Sequence, residues 1–470
     1  MRGWILGAAL ALAPAAAWAD WPQFRGPGGS GVVEGPMPAG WSAESNVKWK
    51  TPIPGAAWSC PVVVGDKVFL TTAYSENQPR PRSGFGGGQG KGGRPGGGER
   101  PKDAPQGKGG YGRGTPPDAV YQWRVLCLDR NSGKILWNQL AREGRPRIST
   151  HPSNTFASET PATDGERLYA YFGMEGLFCY DLDGKLLWKK DLGHFPMQNG
   201  WGTASSPVVD AGRLFIQCDN EEKSFLAAFD AKTGDELWRV DRQEKSGWST
   251  PYVWRAKGRT DLVAIGSRHV RGYDPATGRQ VWELAVGGGQ CSASPVGDEN
   301  LLYVGTNIAG GGRPGGDDAA PRPGGRLFAV KAGASGDITP KDGASSSAGV
   351  AWVAARAWPA AASPLVYRGH LYIFERNGGM VSCYDAVTGQ PAYTRERISG
   401  AKAFWASPWA HDGKIFALDE DGQTHILKAG PKFELLGKNE LTKELYWSTP
   451  AASGGTLLIR GVDHLYCVGP

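Results

Sequence analysis

A step of the form Ser-x-Pro, or a close variant ending in proline, occurs eight times along this chain. It reads WSCP (58–61), SETP (158–161), SSP (205–207), WSTP (248–251), SASP (292–295), ASP (362–364), ASP (406–408) and WSTP (447–450). Five of the seven intervals between these prolines are 42 to 46 residues, and the other two, 100 and 69, each contain a Gly-rich insert. A period near 44 is what one four-stranded propeller blade requires. The expected fold is therefore all-β, an eight-bladed β-propeller with four-stranded blades over residues 20–470.

Each unit repeats one plan. After the proline come a short apolar strand, a turn such as VGDK or TDGE, and a second strand such as VFLTT or LYAYF. A third strand ends in Asp: Asp129, Asp181, Asp230, Asp274 and Asp385. A tight turn follows, with Gly234, Gly278 and Gly389 among its glycines, and then an outer strand ending in Trp137, Trp188, Trp238, Trp282 or Tyr393. Glycine supplies the positive φ of a tight hairpin and Asp can hold the turn backbone. The terminal ring is large enough to fill the wedge between neighbouring blades. The eighth unit stops at HLYCVGP without an outer strand, and NVKWK (46–50) carries Trp49 at the matching place. The N-terminal strand is thus expected to pair into the last blade, closing the ring and hiding its edges.

Residues 1–19, MRGWILGAALALAPAAAWA, read as a cleavable secretory signal. No later apolar run reaches the ~18 residues of a spanning helix. An exported protein, periplasmic or secreted, is expected. The formal net charge of +6 gives no reason to expect a nucleic acid partner, because eight basic and two acidic residues between Arg80 and Arg113 account for the whole excess. That stretch belongs to a Gly/Pro-rich insert over 75–120 in blade one, too poor in apolar residues to fold. A second Gly-rich insert spans 308–325 in blade five. Both fall between strands two and three, so both leave one face, the expected binding side. Seven cysteines are present, of which Cys127, Cys179, Cys383 and Cys467 occupy one place in four copies of the third strand. They read as small buried hydrophobes rather than bridged pairs.

The stretch AAFDAKTGDELW (227–238) resembles the tryptophan-docking motif of the pyrroloquinoline quinone (PQQ) propellers, and the mature chain resembles the PQQ-like repeat proteins throughout. DWPQFRGPGGSGV (20–32) is similar to a signature of exported bacterial members of the non-catalytic branch, the branch of the outer-membrane assembly factor. The resemblance implies the eight-bladed fold. The enzyme branch would imply PQQ, calcium, an Asp base and a vicinal cysteine pair, and this sequence has no adjacent cysteines and no Cys-x-x-Cys-His. Asp219, Asn220, Glu375 and Asn377 lie in loops of the expected binding face and read as solvated residues rather than cation ligands. The seven His show no metal spacing, and there is no nucleophile elbow or phosphate loop.

Trp58, Trp248, Trp405 and Trp447 each stand three residues before a repeat proline, where other units have Ser158, Ala204, Ser292 and Ala361. These positions lead into the innermost strands, so the indoles are expected to converge at the channel mouth, with Trp201 and Phe404 close by. Such a rim can stack a planar ligand or grip an apolar peptide, and it can equally pack under the loops. The reading is a non-catalytic scaffold for an envelope protein or peptide, either free or peripheral to a membrane, with no catalytic residues, metal or cofactor. The alternative is a PQQ- and calcium-dependent alcohol or sugar dehydrogenase. A hydrolase or a sugar-binding propeller is a more distant option.

Overall fold

The computed structural model describes residues 21–83, 114–290, 292–306, 325–341, 343–355, 357, 361–376 and 378–470. Residues 1–19, expected to be a secretory signal, the middle of the first insert, nearly all of the second, Cys291 and Asn377 lie outside these residues. Eight antiparallel sheets form the ring. Blade three shows the plan, with Val208–Asp210, Arg213–Cys218, Phe225–Asp230 and Glu236–Asp241 paired in sequence order. Blade eight is completed as expected: Val47–Pro52 pairs with His464–Val468, placing Trp49 opposite Cys467. Both inserts depart between strands two and three, after Lys67–Tyr74 and after Leu301–Thr306. Among the described residues the helical turns are three short 3-10 turns.

The innermost strands are tied together by a closed belt of hydrogen bonds. It uses the residue just before each repeat proline: the backbone N–H donates to the side chain of the matching residue one blade on. Cys60 donates to Thr160, Thr160 to Ser206, Ser206 to Thr250 and Thr250 to Ser294, at 2.9–3.0 Å. Ser294 donates to Ser363, Ser363 to Ser407 and Ser407 to Thr449, again at 2.9–3.0 Å. Thr449 closes the circle on the Cys60 sulfur at 3.2 Å. The recurring hydroxyl, or at Cys60 the sulfur, thus satisfies a buried backbone donor that would otherwise be unpaired.

At the outer corners the docking motif does structural work. Trp49, Trp137, Trp188 and Trp238 each donate the indole N–H to a turn carbonyl of the next blade, at 2.8–3.3 Å. Their rings lie on the turn glycines Gly133, Gly184, Gly234 and Gly278, where an added Cβ would meet the indole at 2.5–2.9 Å. Asp129, Asp181, Asp230, Asp274 and Asp385 each accept turn backbone N–H groups on Oδ1. In strand three the residue opposite each docking ring is small: Cys467, Cys127, Cys179 and Ala228 face Trp49, Trp137, Trp188 and Trp238, and Cys383 faces Tyr393. This explains the repeated cysteines, and all six described cysteines are buried and free.

Trp282 departs from the expectation. It does not dock on the next blade. Its strand-three partner is Gly272, and with no side chain opposing it the indole folds onto its own sheet and donates to Asp261 Oδ2 at 2.8 Å. Its neighbour in the ring has no matching turn either. There Gly336–Asp337 runs parallel to the outer strand of blade four and adds a fifth strand to it. Trp352, which the repeat pattern missed because an insert and an irregular stretch precede it, takes the docking role in blade five by donating to Ala386 O and covering Gly389.

Two pairs of substitutions separate these effects. Gly234 and Gly212 have φ of 75° and 73°, but only Gly234 has an indole in the way. Gly234→Ala should cost about 1–3 kcal/mol more than Gly212→Ala in denaturant unfolding. In the belt, Cys60→Ser should be near neutral, whereas Cys60→Ala strands the Thr449 N–H and should lose about 1–3 kcal/mol.

Candidate functional site

The loops that precede the eight belt residues surround one mouth of the central channel. All five indoles expected there line a single cavity: Trp58, Trp201, Trp248, Trp405 and Trp447. Its volume is about 200 Å³, far beyond the ~10–15 Å³ that one water requires. Seven of the eight belt residues form its floor, Ser363 being the exception.

The aromatic wall has two parts. Trp405 stacks on Trp447 with centroids 3.7 Å apart and planes at 15°, and Trp447 stacks on Trp58 at 4.9 Å. The Arg376 guanidinium lies 5.3 Å over Trp405, extending the column with a cation–π contact. Across the mouth, Trp201 tilts against Trp248 at 5.8 Å and meets the edge of His151 at 6.1 Å. Trp58 donates to Ser153 O and Trp248 to Gly202 O, so these two rings are fixed by neighbouring loops. Trp58 is buried, while the other four are half-buried and present ring surface to the cavity. Behind the column, burial raises the Glu420 carboxyl above its ordinary range, and the indole N–H groups of Trp447 and Trp405 lie beside it. Phe404 is not part of the rim. It is fully buried, edge-on to Phe374 and His425.

The channel is blind. Residues Trp21–Val33 cross its far end, bonded to Val63 in blade one, Thr163 in blade two and Ala410 in blade seven. Phe24 reaches the floor of the cup from below. In the sequence 20–32 reads only as a family signature; the physical task of Trp21–Val33 is to stopper the ring.

The polar loop residues also differ from expectation. Asp219 and Asn220 are buried, not solvated. Asp219 takes a two-point ion pair from Arg242 at 2.8 and 3.0 Å, and Asn220 is spent on its own loop, accepting from Glu222 and Lys223 N–H. Glu375 pairs with Arg395 at 3.0 Å. Among the described residues no carboxylate lines the cup, and no group of three or more His, Cys, Asp or Glu is placed to hold a metal.

Residues 122–309 match the family described as Outer membrane protein assembly factor BamB. No curated protein matches the chain in sequence. Among solved structures it is similar to BamB from Moraxella catarrhalis (12% identity, 74% of this chain and 93% of that one, TM-score 0.49). It is also similar to two quinohemoprotein alcohol dehydrogenases, from Comamonas testosteroni (12%, 96% and 80%, TM-score 0.51) and ADHIIG from Pseudomonas putida HK5 (12%, 96% and 80%, TM-score 0.54). The likeness to the two dehydrogenases is one of fold. The chain is an eight-bladed β-propeller, and the family match covers residues 122–309 of it.

Behind the cup wall, next to belt residue Thr160, Glu159 is buried with no cation against it, and burial pushes its carboxyl up to about 7. The folded state therefore holds this proton more tightly than the unfolded chain does, and stability falls as pH rises from about 4.5 towards 7. Glu159→Gln should remove that slope and raise stability at pH 8 by an amount on the order of 3 kcal/mol, read from denaturant unfolding at pH 5 and pH 8.

Proposed function

We propose that this PQQ-like repeat propeller is an exported, non-catalytic scaffold of the periplasm or cell envelope, whose cup grips an apolar or aromatic segment of a protein partner. One observation carries the reading. Five indoles converge on a single blind cup that no carboxylate lines among the described residues. Ring surface of this kind gives large contact area for little lost conformational entropy, and such residues dominate binding energy where they cluster. The strands from which the two inserts leave, Lys67–Tyr74 and Leu301–Thr306, end on the same face as the cup. The family description matched by residues 122–309, an outer-membrane assembly factor, agrees with a protein partner. The secretory segment 1–19 supports export, and no helix among the described residues is long and apolar enough to cross a membrane.

PQQ with calcium fits this cup poorly. Calcium takes six to eight oxygen ligands, carboxylates prominent among them. The described lining offers hydroxyls, amides and one guanidinium but no Asp or Glu. Asp219 and Asn220 are committed to Arg242 and to their own loop.

Selection of displayed peptides on the mature protein should enrich sequences with aromatic or large aliphatic anchors, and their binding should perturb tryptophan fluorescence. Replacing Trp248 and Trp405 together by Ala should weaken such peptides about tenfold or more. Titration with PQQ and Ca²⁺ should show no saturable binding. Micromolar quinone binding with dye reduction on adding alcohols would overturn the scaffold reading.

A further inference from the structure

The hydroxyls on the floor of the cup can bond more than the belt asks of them. Thr160, Ser206, Thr250, Ser294 and Ser407 line the cup and are 2–7% exposed. Each accepts a backbone N–H from the preceding blade at 2.9–3.0 Å. None of the five donates its own O–H to an acceptor among the described residues. A hydroxyl has one donor and two lone pairs, so each retains an O–H and one lone pair. The floor is thus a ring of groups that can both give and take a hydrogen bond.

The aromatic wall stands about one side chain above this floor. Trp58, Trp248, Trp405 and Trp447 each precede a belt residue by two positions, and two residues span at most about 7 Å. An aromatic side chain entering between the Trp405–Trp447 stack and the Trp201–Trp248 pair therefore brings its far edge to the hydroxyls. What that edge carries decides the fit. Phe or Leu would displace the water that can bond the floor groups and put nothing in its place, leaving buried O–H groups without partners. A carboxylate or an ammonium would carry a charge onto a floor whose belt side chains are all Ser, Thr or Cys, and all neutral. A phenol suits both halves of the site. Its oxygen accepts from one floor hydroxyl, its O–H donates to the remaining lone pair of another, and its ring lies against indole.

We propose that the cup is a receptor for tyrosine: the partner segment is anchored by a tyrosine whose phenol hydrogen-bonds the belt hydroxyls. This rests on the scaffold reading and adds to it the identity of the anchor. The wall alone would take any ring; the floor selects the one with a polar tip, because a site built to bond a hydroxyl rejects the analogue that lacks it.

The test selects a random phage-displayed peptide library on the mature protein, then titrates the best binder and its Tyr→Phe form by calorimetry. The enriched sequences should share a tyrosine, and the Tyr→Phe form should bind about tenfold or more weakly. In Ser294→Cys and Ser407→Cys a sulfur can still accept the neighbouring N–H, as Cys60 does from Thr449 at 3.2 Å, but a thiol is a weak donor. The ratio of the two affinities should fall towards one in these variants. Should they fail to fold, a crystal structure of the unaltered protein with the selected peptide decides, through whether the tyrosine Oη lies within hydrogen-bond distance of the floor hydroxyls. Enrichment of Phe or Leu anchors, equal affinity of the two forms, or a tyrosine bound away from the floor would overturn the proposal and leave the scaffold reading standing. No enrichment of any peptide would overturn both.

Discussion

The belt of eight hydrogen bonds around the axis is the constraint from which the rest of the molecule follows. Each of its members is both donor and acceptor, so no blade can shift along the axis without disturbing two neighbours. The belt fixes where the innermost strands begin, and hence where the loops above them stand. Four of the five indoles of the wall stand two residues upstream of a belt residue. A rigid floor made of short side chains also leaves the axis open, which is why there is a cup at all.

Outer and inner circles hold the ring by different means. At the centre, polar groups are matched one to one between blades. At the rim, an indole lies on a glycine turn and adds one hydrogen bond, with most of the gain from packing. Blade four shows how local this arrangement is. A single missing side chain at Gly272 lets Trp282 turn inwards to Asp261, and the chain covers the exposed edge with Gly336–Asp337 instead.

Much of this was legible in the sequence because the repeat imposes it on every copy. The eight prolines, the Asp and glycine of each turn, and the strand that closes blade eight are local signals repeated at a fixed interval. The four tryptophans before the prolines were legible as a rim for the same reason. What escaped notice depends on partners remote in sequence. The serine or threonine before each proline looks like turn chemistry, and only the ring shows that Thr449 finds Cys60 across 389 residues. Asp219 looks like a loop acid until Arg242 is folded against it. Trp282 carries the same letter as its fellows, and its fate is decided by the residue across the strand. The crossing segment 21–33 has no periodicity to betray it, because it meets blades one, two, six and seven at one short place each.

That crossing has a kinetic meaning. Trp21 bonds with Val63, but Arg25 reaches Pro364 and Val33 reaches Ala410, and the strand that follows, Val47–Pro52, waits for His464–Val468. This segment precedes its distant partners in the chain by more than 300 residues and is therefore among the last to find its place. Contacts of such long sequence separation are slow to form, since the loop they close must be ordered before they repay it. Until then the nascent ring has an unsealed seam between its first and last blades and an open bore. A chaperone or protease that met the chain in that interval would find one particular stretch exposed, Trp21 to Pro52, which later becomes stopper and clasp.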